Sequence, residues 1–360
     1  MTAGHPDDER WLRRALELAT RSPAPDPNPR VGAVIVRDQV LLGEGWHHGA
    51  GTPHAEVEAL RAAGDARGAT AYVSLEPCNH TGRTAACALA LIEAGVSRVV
   101  YAQPDPNPVA AGGASTLRQA GIEVAGGLLA EQAEALNRGW SFSVRHGRPR
   151  VTWKFASTLD GRSAAADGTS QWITGGAARA DVHRLRDGFG AVVVGTGTAL
   201  ADNPRLTVRT APPPLRQPLR VVVGRRDLPP TANLLDGSVE TLQVRSHDPA
   251  EVLAACHARG IHEVWLEGGP VLAAAFLRAG LVDEVIAYLA GALLGAGAQA
   301  VADLGVGTID QAHRFSLVDV TRLDDDVRLT LAPRPTEIPR PSEIPRPSGV
   351  AHSTDLQEAD

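Results

Sequence analysis

Residues 71–87 read AYVSLEPCNHTGRTAAC, and the fold class turns on them. Ala71 to Leu75 is a short apolar run closed by a proline, the pattern of a buried strand. A helix is expected over Arg83 to Ala94, so Cys78 follows a strand and Cys87 lies in the next helix. Upstream, His54-Ala55-Glu56 opens a helix expected over His54 to Ala63. Asp7 to Thr20 reads as a helix with Trp11, Leu12, Ala15, Leu16 and Ala19 on one face and acids in its first turn. It stops before the Pro-rich turn Pro23 to Pro29. Val31 to Val36 is a β-branched strand, paired through an Arg37-Asp38-Gln39 turn with Leu41 to Trp46. Downstream, Val96 to Ala102 is a strand, Ala114 to Gln119 a helix and Glu123 to Ala125 a strand. Such alternation implies an α/β sheet covered by helices on both faces.

A helix is expected over Ala130 to Trp140. The segment Val144 to Arg150 then carries Arg145, Arg148 and Arg150 with a Gly and a Pro, and the domain boundary belongs there, giving domains 1–147 and 148–332. A second alternating series follows. Strands are expected over Val151 to Ser157, Ala191 to Gly195, Leu219 to Val223, Thr241 to Val244, Glu263 to Glu267, Val285 to Leu289 and Val327 to Leu331. Helices are expected over Ala177 to Arg186, Pro249 to Arg259 and Pro270 to Ala279. From Pro333 the chain repeats Arg-Pro-(Thr/Ser)-Glu-Ile-Pro, so 333–360 is expected to be disordered or polyproline-like.

A chain of 360 residues is long enough for two cores, and its 43% hydrophobic and 21% charged content is that of a globular protein. Aromatics are only 4%, so the cores must be aliphatic. A net charge of −6 offers no basic surface for a nucleic-acid backbone. No signal peptide is readable, and the apolar stretch Val285 to Ala298 is well short of the ~20 residues that span a bilayer. A cytoplasmic enzyme with no membrane or nucleic-acid partner is expected. The three cysteines, Cys78, Cys87 and Cys256, are too few for a disulfide framework. Two of them near histidines point to metal.

His54, Cys78 and Cys87 supply three of zinc's four tetrahedral positions and leave one for water. Zinc lowers the pKa of that water to about 7, and a carboxylate that is not a ligand can carry its proton to a leaving amine. Glu56, two residues from His54, suits that role. His54-Ala55-Glu56 matches the H-x-E part of the zinc-deaminase signature, but the P-C-x-x-C part is stretched to Cys78-x8-Cys87. Two rival readings follow from the same residues. With His80 as a fourth ligand the site is structural, and an editing deaminase would need a basic channel lined with aromatics.

His54-Ala-Glu56, Leu75-Glu-Pro-Cys78, the long Cys78-to-Cys87 insertion with His80, Gly82, Arg83 and Thr84, and Pro27-Asn28-Pro29 resemble the bifunctional deaminase/reductases of riboflavin biosynthesis. The resemblance implies a cytidine-deaminase-like fold that hydrolyses the 2-amino group of a diaminopyrimidinone ribosylamine phosphate. It also implies that Asn28, His47 and the loop His80 to Thr84 line the substrate pocket. On the residues alone, Asn28 is equally a turn residue and His47 a loop histidine.

In the second half Gly195-Thr196-Gly197 lacks the third glycine of a Rossmann fingerprint. Glu267-Gly268-Gly269-Pro270 instead places glycines and an N1 proline where a strand meets a helix, a cradle for an anion. Lys154 to Ser157, Asp160-Gly-Arg162, Ser170 to Thr174, Gly195 to Thr198 and Asp202 to Arg209 resemble the reductase part of the same family. The resemblance implies a dihydrofolate-reductase-like α/β domain that binds NADPH through Ala156, Trp172, Thr198, Asp202, Gly269, Pro270, Val271, Leu272, Ala273, Ala274 and Ala275. Ser170, Arg186, Leu206, Arg209 and Glu267 would then face substrate, and the domain would associate as a homo-oligomer. Reduction of a ribosylamine to a ribityl chain calls for a cation and a carboxylate near the reacting carbon, assigned to Lys154 and Asp202. Arg186 and Arg209 suit the substrate phosphate. Gly224-Arg225-Arg226 stands where the resembling family has an acidic residue after the strand expected over Leu219 to Val223, and Arg225 becomes a candidate for the NADPH 2′-phosphate.

Overall fold

The computed structural model describes residues 7–80 and 86–334. In the first half α1 (Asp8–Ala19) is followed by the hairpin β1 (Gly32–Arg37) and β2 (Val40–Trp46), then α2 (Ala55–Ala63), β3 (Thr70–Leu75), α3 (Cys87–Glu93), β4 (Arg98–Gln103), α4 (Gly113–Gln119) and β5 (Glu123–Gly126). Helices α5 (Ala130–Leu136) and α6 (Arg138–His146) close this part. The sheet order is β2-β1-β3-β4-β5, antiparallel at β2-β1-β3 and parallel from β3 to β5. Asp38 and Gln39 both have positive φ, 50° and 63°, as a tight two-residue hairpin turn demands.

Both faces of this sheet are covered. Trp11, Leu12, Ala15 and Leu18 of α1 pack with Val34, Val36 and Tyr72 on one face, while α2, α3 and α4 bury Ala55, Ala59, Leu91 and Leu117 on the other. Two glycines on β2 set the approach of α2. A Cβ on Gly43 or Gly45 would stand 2.4 Å from the carbonyl oxygen of Ala59 or Ala55, so only glycine lets the helix lie flat there. That contact fixes the start of α2, where His54 and Glu56 sit.

The second half contains β6 (Arg150–Thr158), α7 (Gly176–Arg186), β7 (Ala191–Gly195), α8 (Thr196–Asp202), β8 (Leu219–Val223), β9 (Thr241–Val244), α9 (Pro249–His257), β10 (Glu263–Leu266), α10 (Pro270–Arg278), β11 (Glu284–Ala290), β12 (Phe315–Leu323) and β13 (Asp326–Pro333). Its sheet runs β12-β13-β11-β6-β10-β7-β8-β9. The strands from β11 through β9 are parallel, and β13 and β12 add an antiparallel hairpin at one edge. Parallel strands bring their carboxyl ends to one side, where α/β folds bind ligands. Lys154, Gly195 and Glu267 all lie toward those ends of β6, β7 and β10.

Several expected elements differ. The expected helix Ala130 to Trp140 is broken at Asn137, whose side chain binds the Arg30 backbone, accepting from its N–H at 2.8 Å and donating to its carbonyl at 3.0 Å. Asn137 has φ −110° and ψ 21°, off the helical values, and serves at once as the C-cap of α5 and the N-cap of α6. Helix α3 starts at Cys87 rather than Arg83, and residues 81–85, which include Gly82, Arg83 and Thr84, lie outside the described residues. Helix α8 was not expected, because its Gly-Thr-Gly-Thr entry reads as a turn. Strand β12 was missed because its face is largely exposed and carries no buried apolar run. Pro333, expected to open the tail, ends β13, while residues 335–360 lie outside the described residues.

Candidate active sites

His54 precedes the first turn of α2, Cys78 follows β3 after Glu76-Pro77, and Cys87 is the first residue of α3. Three elements thus converge. Their ligand atoms lie within 4.8 Å of one another, with His54 Nδ1 3.1 Å from Cys87 Sγ and 3.6 Å from Cys78 Sγ. A tetrahedral zinc separates its nitrogen and sulfur ligands by about 3.6 Å, so the residues fit that ion. Both cysteines are buried. Among the described residues no fourth side chain joins the cluster, and His80 is exposed outside it, which disfavours a closed structural site.

The turn that carries Cys78 is held rigidly. Glu76 accepts the N–H groups of Asp105 at 3.2 Å and Ala114 at 3.0 Å, and a Cβ on Gly113 would stand 1.8 Å from the Pro77 carbonyl. Hydrogen bonding from Cys87 holds the Cys78 thiol well below its ordinary range, and the same contact pushes Cys87 up. A bound cation favours both as thiolates. Glu56 is 4% exposed, and burial pushes its carboxyl up to about 6, the range of a group that can both take and give a proton.

Asn28 and His47 sit beside this cluster. Asn28 Nδ2 lies 3.1 Å from His47 Nε2, His47 Nδ1 lies 3.2 Å from the Pro53 carbonyl, and the His47 and His54 rings stand edge to face at 5.8 Å. Burial lowers the His47 pKa, so the neutral ring donates from Nδ1 to Pro53 and accepts at Nε2 from Asn28. Sequence reasoning missed Asp105. Burial pushes it up to about 6, and it is near enough to feel the charges of Glu76, Cys78 and His80. An Asp-Pro-Asn turn directly after β4 was the available signal.

In the second half Arg186 and Glu267 are both largely buried and paired. Arg186 Nη2 and Nε donate to Glu267 Oε1 at 2.6 and 3.2 Å, Nη1 donates to the Thr207 carbonyl at 2.8 Å, and Trp265 Nε1 donates to the same Glu267 oxygen. Burial pushes Glu267 up, but Arg186 and Lys154 outweigh it and hold the carboxyl at about 2. Lys154 is lowered by burial, and the charges acting on it are Glu267 and Arg186. Leu266 pairs with Trp153, so Glu267 and Lys154 are the next positions along neighbouring parallel strands, and the carboxylate that acts on Lys154 is Glu267 rather than the expected Asp202. Asp202 is exposed at the end of α8.

The Thr198 hydroxyl accepts the Gly269 N–H at 3.2 Å, tying the start of α8 to the Gly269-Pro270 start of α10. Ala156 and Ser170 are partly exposed, and Trp172 is 68% exposed with Arg179 stacked 4.6 Å from its ring centroid. Pro270 and Leu272 are partly exposed and Val271 exposed, whereas Ala273 and Ala274 are core residues and can offer a ligand no side-chain face. Leu206 is likewise packed in the core, at φ 50°. Arg209 is exposed, with its N–H on His183 Nδ1 at 3.3 Å. Arg225 and Arg226 are exposed, and a Cβ added to Gly197 would stand 3.5 Å from Arg226 Nη2, so Arg226 overlies the entry to α8.

Comparison with known proteins bears on both halves. Residues 5–103 match the cytidine and deoxycytidylate deaminase zinc-binding region, and residues 149–329 match the RibD C-terminal domain. The riboflavin biosynthesis protein RibD of Mycobacterium tuberculosis is 51% identical over 313 residues, 86% of this chain and 92% of that protein. RibD of Escherichia coli is 42% identical over 362 residues, covering 90% and 99%. The solved structure of Acinetobacter baumannii RibD superposes with a TM-score of 0.84 at 44% identity, covering 91% of this chain and 99% of that one. The chain belongs to the RibD family.

As a RibD it is a bifunctional enzyme of riboflavin biosynthesis, a zinc-dependent deaminase joined to an NADPH-dependent reductase. Its first half has the cytidine-deaminase-like fold and its second the dihydrofolate-reductase-like one. Its substrate is a small pyrimidine, and among the described residues no helix is long and apolar enough to cross a membrane. In the deaminase, zinc would be held by His54, Cys78 and Cys87 and would supply an activated water.

Proposed function

We propose that the deaminase half acts on 2,5-diamino-6-ribosylamino-4(3H)-pyrimidinone 5′-phosphate and that the reductase half converts the ribosyl of the deaminated product to a ribityl chain. The carrying observation is the buried Glu56 carboxyl beside a three-donor His54/Cys78/Cys87 cluster. Glu56 passes a proton from the attacking water to the leaving amine. Asn28, His47, His80 and Asp105 bind the pyrimidine and its sugar phosphate. In support, a related protein of solved structure from Thermotoga maritima, 34% identical with a TM-score of 0.82, is a diaminohydroxyphosphoribosylaminopyrimidine deaminase and 5-amino-6-(5-phosphoribosylamino)uracil reductase.

For the reductase, Lys154 is the proton donor at the sugar carbon, Glu267 supplies the fixed negative charge that acts on it, and Arg186 acts by holding Glu267 ionised. Arg209 is the phosphate ligand, since the donors of Arg186 are engaged by Glu267 and Thr207. Ser170 and the Leu206 backbone complete the substrate side. NADPH runs from Ala156 and Trp172 to Thr198, Asp202 and the first turn of α10 at Gly269, with Arg225 and Arg226 near its 2′-phosphate. The divide between the two enzymes falls at 147/148, between the end of α6 and the start of β6. The cytoplasm is the proposed location. Exposed Leu317, Val318 and Val320 on the edge strand β12 support association through the reductase domain.

The test is incubation of the purified protein with the diaminopyrimidinone ribosylamine phosphate, with and without NADPH, following ammonia and NADPH separately. Ammonia release without NADPH, followed by NADPH oxidation, is expected. NADPH oxidation with no preceding ammonia release would overturn the assignment.

A further inference from the structure

The loop that carries Asn28, Pro23 to Pro29, lies at the boundary with the reductase domain. On its own side it is tied by Asp26, whose carboxylate accepts the N–H groups of Asn28 at 2.9 Å and Ala50 at 3.2 Å. On the other side a cavity of about 500 Å³ separates much of it from Arg216, Arg259 and Glu263 of the reductase domain. Packing there is incomplete, so the few direct contacts across the gap carry more of the positioning.

Pro27 makes such contacts. The Pro27 carbonyl accepts a hydrogen bond from His262 Nε2 at 2.8 Å, and a Cβ on Gly260 would stand 3.1 Å from the Pro27 ring. A carbonyl can only accept, so the His262 proton is on Nε2, and Nδ1 is a buried atom without a hydrogen-bond partner. Burial lowers the His262 pKa, in keeping with a neutral ring. His262 is itself anchored, because its carbonyl accepts the Arg150 N–H at 2.8 Å where β6 and β10 begin to pair. The donor is therefore fixed to the reductase sheet, and the acceptor is one residue from Asn28.

We propose that His262, a residue of the reductase domain, is a positioning residue for the deaminase: its Nε2–H holds the Pro27 carbonyl and so sets Asn28 against His47 for substrate. This rests on the reading of Asn28 as a substrate ligand. Chemistry at the metal is untouched by the contact, so its loss weakens substrate binding rather than turnover. The deaminase half is consequently incomplete without the reductase domain beside it.

The experiment measures steady-state ammonia release by the full-length, zinc-loaded protein and by its His262→Ala, His262→Gln, His262→Asn and Asn28→Ala variants. NADPH-dependent reduction of the deaminated intermediate is followed in parallel. One lost hydrogen bond corresponds to a rise in KM of roughly three- to tenfold. His262→Ala is expected to show that rise with kcat within about twofold and reduction unchanged. His262→Gln, whose amide N–H reaches where imidazole Nε2 does, should restore KM. His262→Asn, whose shorter amide does not reach, should resemble alanine and serves if the alanine variant fails to fold. An unchanged KM in both His262→Ala and His262→Asn, equal losses in both activities, or a glutamine variant no better than alanine would overturn the proposal. If Asn28→Ala raises KM while the His262 variants do not, the coupling fails and the Asn28 assignment stands. If Asn28→Ala leaves KM unchanged, the Asn28 assignment itself fails, and the proposal with it.

Discussion

The two sites are built in different ways. The deaminase centre, as proposed, draws its metal ligands and its proton carrier from residues 54–87, each placed at a helix start or just beyond a strand end. The proposed reductase centre gathers Lys154, Arg186 and Glu267 from β6, the end of α7 and the residue after β10, positions 113 apart in the chain from first to last. The first is specified by local spacing and by the chemistry of one ion. The second exists only once the sheet order has brought separate strands together. A soft ligand set reveals itself in the sequence, whereas an ion pair buried by topology does not.

Stripping the metal should separate the regions most sharply. Prolonged chelation is expected to abolish ammonia release and leave reduction of the deaminated intermediate intact, with zinc restoring the loss. Atomic absorption alongside both assays checks this, and reduction that fell in step with zinc content would break the contrast.

Removing Arg186 tests the buried pair. Arg186→Ala should lower stability by about 3–5 kcal/mol, because Glu267 is left without its main partner. Glu267 is depressed from its ordinary 4.5 to about 2, so in the native protein its contribution is present above about pH 4.5 and fades as pH falls toward 2. Denaturant titrations across that range should show the native protein losing this contribution, while the variant, with Glu267 no longer held down by Arg186, shows little of it.

A smaller effect is expected at the cofactor end. Arg226→Ala should weaken NADPH binding by roughly tenfold, the scale of one charge-assisted contact, and should narrow the preference for NADPH over NADH. Fluorescence titration with each nucleotide reads this directly, and equal effects on both would remove Arg226 from the 2′-phosphate. Deleting residues 335–360 should change neither activity nor Tm, since so proline-rich a sequence carries few apolar side chains with which to dock. A fall of several degrees would show that it docks.

The contrast also explains what could be read in advance. Strands β1, β7 and β8 announce themselves as β-branched runs and β3 as an apolar run closed by a proline, while His54, Cys78 and Cys87 read as a ligand set with Glu56 beside it, so the cluster the structure brings together was legible from local spacing. Asp202 reads as the partner of Lys154 because both are charged members of resembling blocks, and nothing local to Glu267 says that its carboxylate reaches β6. Only the register that pairs Leu266 with Trp153 does so. Asn137 was hidden for the same reason, since its partner, Arg30, is 107 residues away. Strand β12 escaped because an exposed edge carries no buried alternation.

The claim that two separate chemistries share this chain is tested most directly by the crossed pair Glu56→Gln and Lys154→Ala, each assayed for ammonia release and for reduction of the deaminated intermediate. Glu56→Gln should lose deamination by roughly 10²- to 10⁴-fold and keep reduction, and Lys154→Ala should depress reduction and keep deamination. Loss of both activities in either variant at unchanged fold would contradict the account.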